Sequence, residues 1–446
     1  MKFITGARIL VILLFANALT LSAQIGGRVI DGKTNVPLSG VHIYLQKDST
    51  TLEVTDRNGR FDTLQLSKLP PGDTLVFSYI GYQHIKHSRK DLSTREYQIR
   101  LFEDTQRLGE VTVTANKRSY FLNCVSLASM PKDLFSFGSF LHDGKIYVVA
   151  GDESSVLYND NLTLFAAGGI IANLYHSPNL LEYDIAGDKW TIHENIFTPR
   201  ACHAAHLYKN KIYVIGGKNN STNRKREYTD ATMEVYDIEK DTLYVDPVNP
   251  HQAVNFTSFI YNDCLYMIGG SVKKKVYSSK IHALDLRTGI WYEMGDIPKE
   301  FQREMIGIRV GHLVYFFGGR RNNILMRQID TYNLLTGEWK HIGELSEEMG
   351  YPGLACNGNE IYINGGAELH IYNVSTNSVT AYPMPEMSAQ DATNDSIGVL
   401  EDAGLFFWEG KLYIVGGRIF NRTLSGLTYS PSGGVYSIDV GQIGAE

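Results

Sequence analysis

One phrase, repeated six times, constrains this chain more than any other feature. A few mixed residues lead to a turn carrying Asn, Asp or Gly, then to four apolar or aromatic residues, then to a glycine pair. It reads DGKIYVVAG to Gly151, NKIYVIGG to Gly217, DCLYMIGG to Gly270, HLVYFFGG to Gly319, NEIYINGG to Gly366 and GKLYIVGG to Gly417. The closing glycines are 66, 53, 49, 47 and 51 residues apart. Such a period is too long for one strand and too short for a domain. Each unit therefore reads as a small sheet that buries its faces against its neighbours. After each pair comes a loop and a second alternating run, which ends at Tyr183-Asp184, Tyr236-Asp237 and Tyr332-Asn333 in three of the units. A turn and a Trp then follow at Trp190, Trp291 and Trp339.

This grammar resembles the kelch repeat, from roughly Tyr120 to Val440. The resemblance implies six blades of four antiparallel strands, a to d, closed into a β-propeller. The glycine pair ends strand b where neighbouring backbone leaves no room for a Cβ, and the Tyr and Trp wedge between blades. Two departures stand out: the first pair is Ala150-Gly151, and the second, fifth and sixth units lack the late Trp, the second offering Tyr244 instead. The last unit reaches a strand c at 434–440 and has no strand d after it. The segment 120–127, followed by Met130-Pro131, supplies one, so the expected propeller spans 116–446 and is closed by strand 120–127.

Residues 24–115 follow another pattern. Short alternating runs at 27–31, 41–45, 75–82 and 108–113, split by Asp, Asn, Gly and Pro, read as an antiparallel sandwich of roughly seven strands. These phrases resemble the carboxypeptidase-regulatory-like domain that precedes many TonB-dependent outer-membrane receptors. The resemblance implies a transthyretin-like β-sandwich serving as a spacer or docking module. No plug and barrel follow, so transport is not implied. Ahead of it, Lys2 and Arg8, an apolar run over 9–21 and Leu21-Ser22-Ala23 read as a signal peptide over 1–23. The run is too short for a comfortable span. The expected mature protein is exported, periplasmic or associated with the outer membrane or cell surface, and has no integral membrane segment.

A formal net charge of -6 argues against a nucleic-acid partner held by phosphate attraction. The basic runs 224–226 and 273–275 read as solvated loop tips. Cys124, Cys202, Cys264 and Cys356 show neither CxxC nor Cys/His metal spacing. They read as small buried hydrophobes, with a disulfide open to them in an oxidising compartment.

In a kelch blade the b–c loops and d–a connections open on one face. Here the b–c loops after Gly151, Gly217 and Gly417 are long, and long loops on a rigid scaffold carry function. Just past glycine pairs lie Asp152, Lys218, Arg320-Arg321 and Arg418; the d–a connections carry Arg200 with His203, and Arg303-Glu304. The expected ligand-binding set is Asp152, Arg200, His203, Arg303, Arg320 and Arg418, a set suited to a glycan or acidic sugar because Arg donates in a planar fork. An Arg before strand a has a competing role as an interblade donor. His203 and His206 face opposite sides of a strand and share no metal, and no metal or cofactor is expected. The main functional expectation is a non-catalytic envelope protein that binds a glycan or a protein partner through this face. The alternative is a carbohydrate-active enzyme such as a mutarotase for sialic acid or another sugar, or an epimerase. Glu304 beside Arg303 would then supply acid/base chemistry, with Arg226-Glu227 a weaker pair. The superfamily's copper radical oxidases, galactose oxidase among them, need a Cys–Tyr cross-link and His and Tyr ligands, which these cysteines do not assemble.

Overall fold

The computed structural model describes residues 26–47, 51–56, 58–62, 68–79, 82–90, 97–102, 116–117, 122–159, 169–220, 227–273, 275–384, 396–423 and 426–443. The expected signal peptide, the run 108–113, the start of the closing strand at 120–121 and the basic run 224–226 lie outside the described residues. Among the described residues regular structure is almost entirely strand, with one 3-10 turn at Val440–Gln442. The chain divides into two compact units, Met1–Arg107 and Leu108–Glu446.

The first unit holds two sheets. Strands Thr51–Val54, His42–Leu45, Thr74–Ser78 and Ile85–Ser88 pair antiparallel in that order. Gly26–Asp31 lies between Arg60–Asp62 and Tyr97–Leu101. It runs antiparallel to the first and parallel to the second, so the module is not antiparallel throughout. Alternation does what period two requires: Val29, Ile43, Leu75, Phe77 and Leu101 point inward into one fully buried core.

In the second unit Gly138–His142, Lys145–Val149, Leu180–Asp184 and Lys189–His193 pair antiparallel in chain order as strands a to d. The same order recurs in sheets beginning at Ala204, Thr257, Glu304 and Gly353, the last of which gains Asn116–Lys117 as a fifth strand, parallel to Ser378–Pro383. A sixth sheet is built from Gly404–Trp408, Lys411–Val415 and Val435–Asp439, with Cys124–Ser126 as its fourth strand. Tyr436 pairs with Ser126 and Ile438 with Cys124. The Gln442 side chain clasps this junction, accepting from the Asn123 N–H at 2.8 Å and donating to its carbonyl at 3.1 Å.

The glycine pairs are where consecutive sheets are stitched. Gly217 (φ +83°) sits so close to the chain entering its own sheet that a Cβ would lie 2.6 Å from the Ala201 carbonyl oxygen. Its N–H donates across to the Ala253 carbonyl of the next sheet at 2.9 Å. Gly151 donates likewise to Arg200, and Gly417 to Leu134, which carries the sixth sheet back to the first. Ala150 takes the left-handed conformation at φ +52° despite its methyl group. Trp339 stacks on Phe316 at 5.2 Å and lies against Tyr332 at 4.9 Å, both in its own sheet, at the edge of a core that also takes Phe259 and Ile281 from the sheet before.

The long b–c loops are built, not slack. Ser155–Asn159 and Gly169–Asn173 join Arg418–Thr423, Gly426–Pro431 and Ser396–Glu401 in one five-stranded sheet. Lys218–Asn220 pairs with Glu227–Thr229 as a hairpin. All four cysteines are free and none is fully buried: Cys124, Cys202 and Cys264 are half-buried, and Cys356 is exposed because it sits near the solvent end of a strand next to a turn.

Candidate functional site

Register places one residue from every enlarged loop around a common mouth. In five sheets the residue just past the glycine pair bridges to the chain entering strand a. The bridges are Phe135 to Asp152, Ala201 to Lys218, Val254 to Ser271, Glu304 to Arg320 and Glu401 to Arg418. The next residue on the entering chain is left-handed in four sheets: Ser136 (φ +49°), Cys202 (φ +57°), Asn255 (φ +52°) and Asp402 (φ +55°). Non-glycine residues rarely hold such φ without support. Here the support is a backbone chain from sheet to sheet, with Cys202 N–H donating to the Ser136 carbonyl at 2.7 Å and Asn255 N–H to the Cys202 carbonyl at 3.3 Å.

The side chains on this ring form a mixed ionic network. Arg418 reaches Glu401 at 3.0 Å and Asp402 at 3.4 Å. Its guanidinium sits 5.1–5.8 Å from the ring centres of Phe135, Tyr351, Phe420 and Tyr429, and its buried Nε has no hydrogen-bond partner. Tyr351 donates to Glu304 at 2.5 Å, and Arg320 approaches the same phenol oxygen at 3.5 Å. Ser136 donates to Asp402 at 3.1 Å, and Lys218 pairs with Glu227 at 2.7 Å.

These groups set one another's ionisation. Burial raises Glu304, Glu401 and Asp402 above the ordinary carboxylate range, against the pull of Tyr351 and Arg320 on the first and of Arg418 on the other two. Burial also pushes the Cys202 thiol up to about 12, so it is not a nucleophile. Glu227 is held down to about 2, first by His176 and then, against burial, by Lys218.

Of the residues singled out in the sequence, Asp152, Arg320, Arg418 and Glu304 meet at this mouth, together with Lys218. Arg200, Arg303 and His203 do not present free groups there. Arg200 is fully buried, 3.2 Å from Asp230 and 3.0 Å from Glu234. Arg303 is 2.7 Å from Asp330, with its Nε donating to the Gly318 carbonyl at 2.9 Å. In both, a cation before strand a meets a carboxylate on strand c and fastens one sheet internally. His203 lies buried between sheets, accepts from Gly138 N–H at 3.1 Å, and is lowered to about 3 by burial and then by Arg200. It stays neutral. Tyr351, Glu401, Asp402, Tyr429, His176 and Glu227 were not singled out as site residues, although Glu227 was paired with Arg226. A count would have found Glu401: bridge partners lie 17 residues upstream of Asp152, Lys218, Ser271 and Arg418, and 16 upstream of Arg320. His176 and Glu227 sit in loops without any repeated spacing.

A separate pocket of about 460 Å³ opens at the a–b turns, lined by Phe140, His142, His206, Leu207 and Ile260 among others. Its walls are mixed, with His142, His206, Lys209 and Asn210 beside four apolar side chains, and the ionic network lies at the opposite ends of the same strands.

Sheets that end in glycine pairs and are stitched to the next sheet at Gly151, Gly217 and Gly417 are the signature of the kelch repeat, and this chain carries such repeats. Residues 152–366 match the KLHDC2/KLHL20/DRC7 Kelch-repeats domain. Residues 25–113 match the CarboxypepD_reg-like domain, which is the N-terminal sandwich. Kelch-like protein 36 of Rattus norvegicus is 21% identical over 60% of this chain and 44% of its own length. Kelch domain-containing protein 10, also of Rattus norvegicus, is 25% identical over 46% of this chain and 57% of its own. The chain thus spans about half the length of these relatives. The solved structure of YjhT superposes with a TM-score of 0.50 at 12% identity, covering 69% of this chain and 96% of that one, a likeness of fold. No helix among the described residues is long and apolar enough to cross a membrane.

Proposed function

We propose that this is an exported cell-envelope binding protein that recognises an acidic, hydroxyl-rich ligand, a glycan or acidic sugar, at the mouth formed by Asp152, Lys218, Glu304, Arg320, Tyr351, Glu401, Asp402 and Arg418. The N-terminal sandwich then serves as the docking module. The observation that carries the reading is Arg418, a caged guanidinium with one unpartnered donor among half-buried carboxylates. Aromatic faces suit the C–H surface of a sugar ring, alternating donors and acceptors suit its hydroxyls, and a forked cation suits its carboxylate. A thermal-shift series with sialic and uronic acids against neutral sugars tests it, since a ligand of the folded state raises Tm with concentration. Acidic sugars should shift the melt, and Arg418→Ala or Arg320→Ala should remove the shift. A shift that survives both substitutions, or none with any sugar, sinks the glycan reading and leaves a protein partner.

One observation favours a second reading, a sugar mutarotase. Glu304 is a carboxyl raised by burial, hydrogen-bonded to Tyr351 and close to Arg320, a poise suited to general acid/base work. Anomer-exchange NMR on the same sugars separates the readings: exchange accelerated by the protein and lost in Glu304→Gln supports catalysis, and binding without acceleration supports the first reading alone.

A further inference from the structure

Beyond that reading, at the edge of the same mouth with which it shares Asp152, we propose that Asp152, His176 and Glu227 form a site for a first-row transition ion of the zinc class. Asp152 and His176 come from the first sheet's b–c loop, and Glu227 from the hairpin of the second. Each offers one ligand atom, and the three atoms lie within 4.8 Å of one another. His176 Nε2 stands 3.8 Å from Asp152 Oδ2 and 3.7 Å from Glu227 Oε1. These gaps are too long for hydrogen bonds. They approach the spacing of about 3.3–3.5 Å between donors that share one tetrahedral ion.

The imidazole is a second, independent observation. The His176 side chain has no exposed surface, and neither ring nitrogen has a hydrogen-bond partner. Buried polar groups are nearly always paired, and an ion between the three side chains supplies the partner this ring lacks. The backbone holds the arrangement, because Asp152 bridges to Phe135 on one side and to His176 on the other. Ser154 N–H takes Asp152 Oδ1 at 2.9 Å, leaving Oδ2 to face the imidazole. One nitrogen and two carboxylates favour a zinc-class ion over magnesium or calcium, which prefer all-oxygen shells. Lys218 is the internal competitor, since its ammonium is 2.7 Å from Glu227 Oε1, the oxygen that faces His176. The other such group, Glu347, Glu368 and His370, differs: His370 Nε2 is engaged by Ser346 Oγ at 2.6 Å.

Zinc chloride titrated calorimetrically into the chelator-stripped full chain, with no sugar present, tests the assignment. One ion should bind per chain. His176→Ala and Glu227→Gln should each weaken binding by roughly 100-fold or more, beyond what loss of an outer partner does. Lys218→Met keeps all three ligands and should tighten binding by roughly tenfold, removing a like charge from the site. Circular dichroism reports whether the ligand variants fold; if His176→Ala does not, the Lys218→Met comparison decides alone. Absence of zinc binding, wild-type affinity in a folded His176→Ala, loss in His370→Ala instead, or unchanged affinity in Lys218→Met would each overturn the assignment.

Discussion

Arg200 shows how a residue can look like a ligand contact in sequence and be, with Glu234, a fastening in space. Gly151 donates to Arg200, and Gly417 to Leu134, so these two residues hold equivalent places in the repeat. On strand c, Glu234 faces Val214 and Leu181 faces Val148, which makes them equivalent too. The second sheet thus has Arg and Glu where the first has Leu134 and Leu181, packed in one core. The fourth has Arg303 and Asp330 at 2.7 Å. The position takes either two apolar groups or an ion pair, and half of either should be costly. Arg200→Leu leaves Glu234 and Asp230 buried without their cation, a loss of about 3–5 kcal/mol. Adding Glu234→Leu copies the first sheet and should recover much of that loss. Urea unfolding of the single and double variants measures it; a double variant no more stable than the single would remove the equivalence. Arg320→Ala, at the mouth, should cost far less stability and act on ligand instead.

At the scale of the element, strand b and its glycine pair decide the fold. Four apolar residues give a strand buried on both faces, and the pair that follows turns left-handed in five of the six units, Gly365-Gly366 being the exception. At Gly217 the φ of +83° and a Cβ 2.6 Å from the Ala201 oxygen and 2.7 Å from the His203 Cβ leave no relaxed solution for alanine. Gly217→Ala should cost about 2–4 kcal/mol, the left-handed penalty plus displacement of the chain entering strand a. That predicts a Tm drop of about 3–6 °C by calorimetry for a propeller of this size, whereas Ala at the exposed, uncrowded Gly311 (φ +63°) should cost only the left-handed penalty. This explains what could be read in advance. The repeat, the strands and the wedge aromatics were legible because period and composition carry them. The mouth was half legible: Asp152, Arg320 and Arg418 follow the glycine signal directly. Glu401, Asp402 and Tyr351 reach it through the entering chain, whose left-handed residues carry Ser, Cys, Asn or Asp and no common motif. Side-chain direction there depends on φ, which spacing does not encode. His176 and Glu227 come from loops with private geometry.

For the propeller as a whole, the question is what keeps a ring of sheets from opening. Sheets meet through backbone bonds, apolar faces and side-chain bonds such as Ser136 to Asp402 and Tyr351 to Glu304, and the junction to test is the one that draws on both ends of the propeller. That junction is the sixth sheet, whose outer strand Cys124–Ser126 comes from before the first sheet while its other three come from the end of the chain. Three register pairs, the Gln442 clasp on Asn123 and the buried Leu122 hold it. Without it, Val435–Asp439 becomes an open edge whose unpaired N–H and C=O groups invite pairing with other chains, and the core around Leu122 and Ile438 loses one wall. A propeller beginning at Met130 should therefore unfold at lower urea, with a broadened transition and concentration-dependent association, than one beginning at Leu122, which keeps the closing strand. Gln442→Ala should give a small shift of the same sign, about 1 kcal/mol for the lost hydrogen bonds. If the shorter propeller matched the longer in midpoint and remained monomeric, closure would rest on the glycine stitch from Gly417 to Leu134 and on the packing of the first and sixth sheets. The shared strand would then be an ornament on a ring already shut.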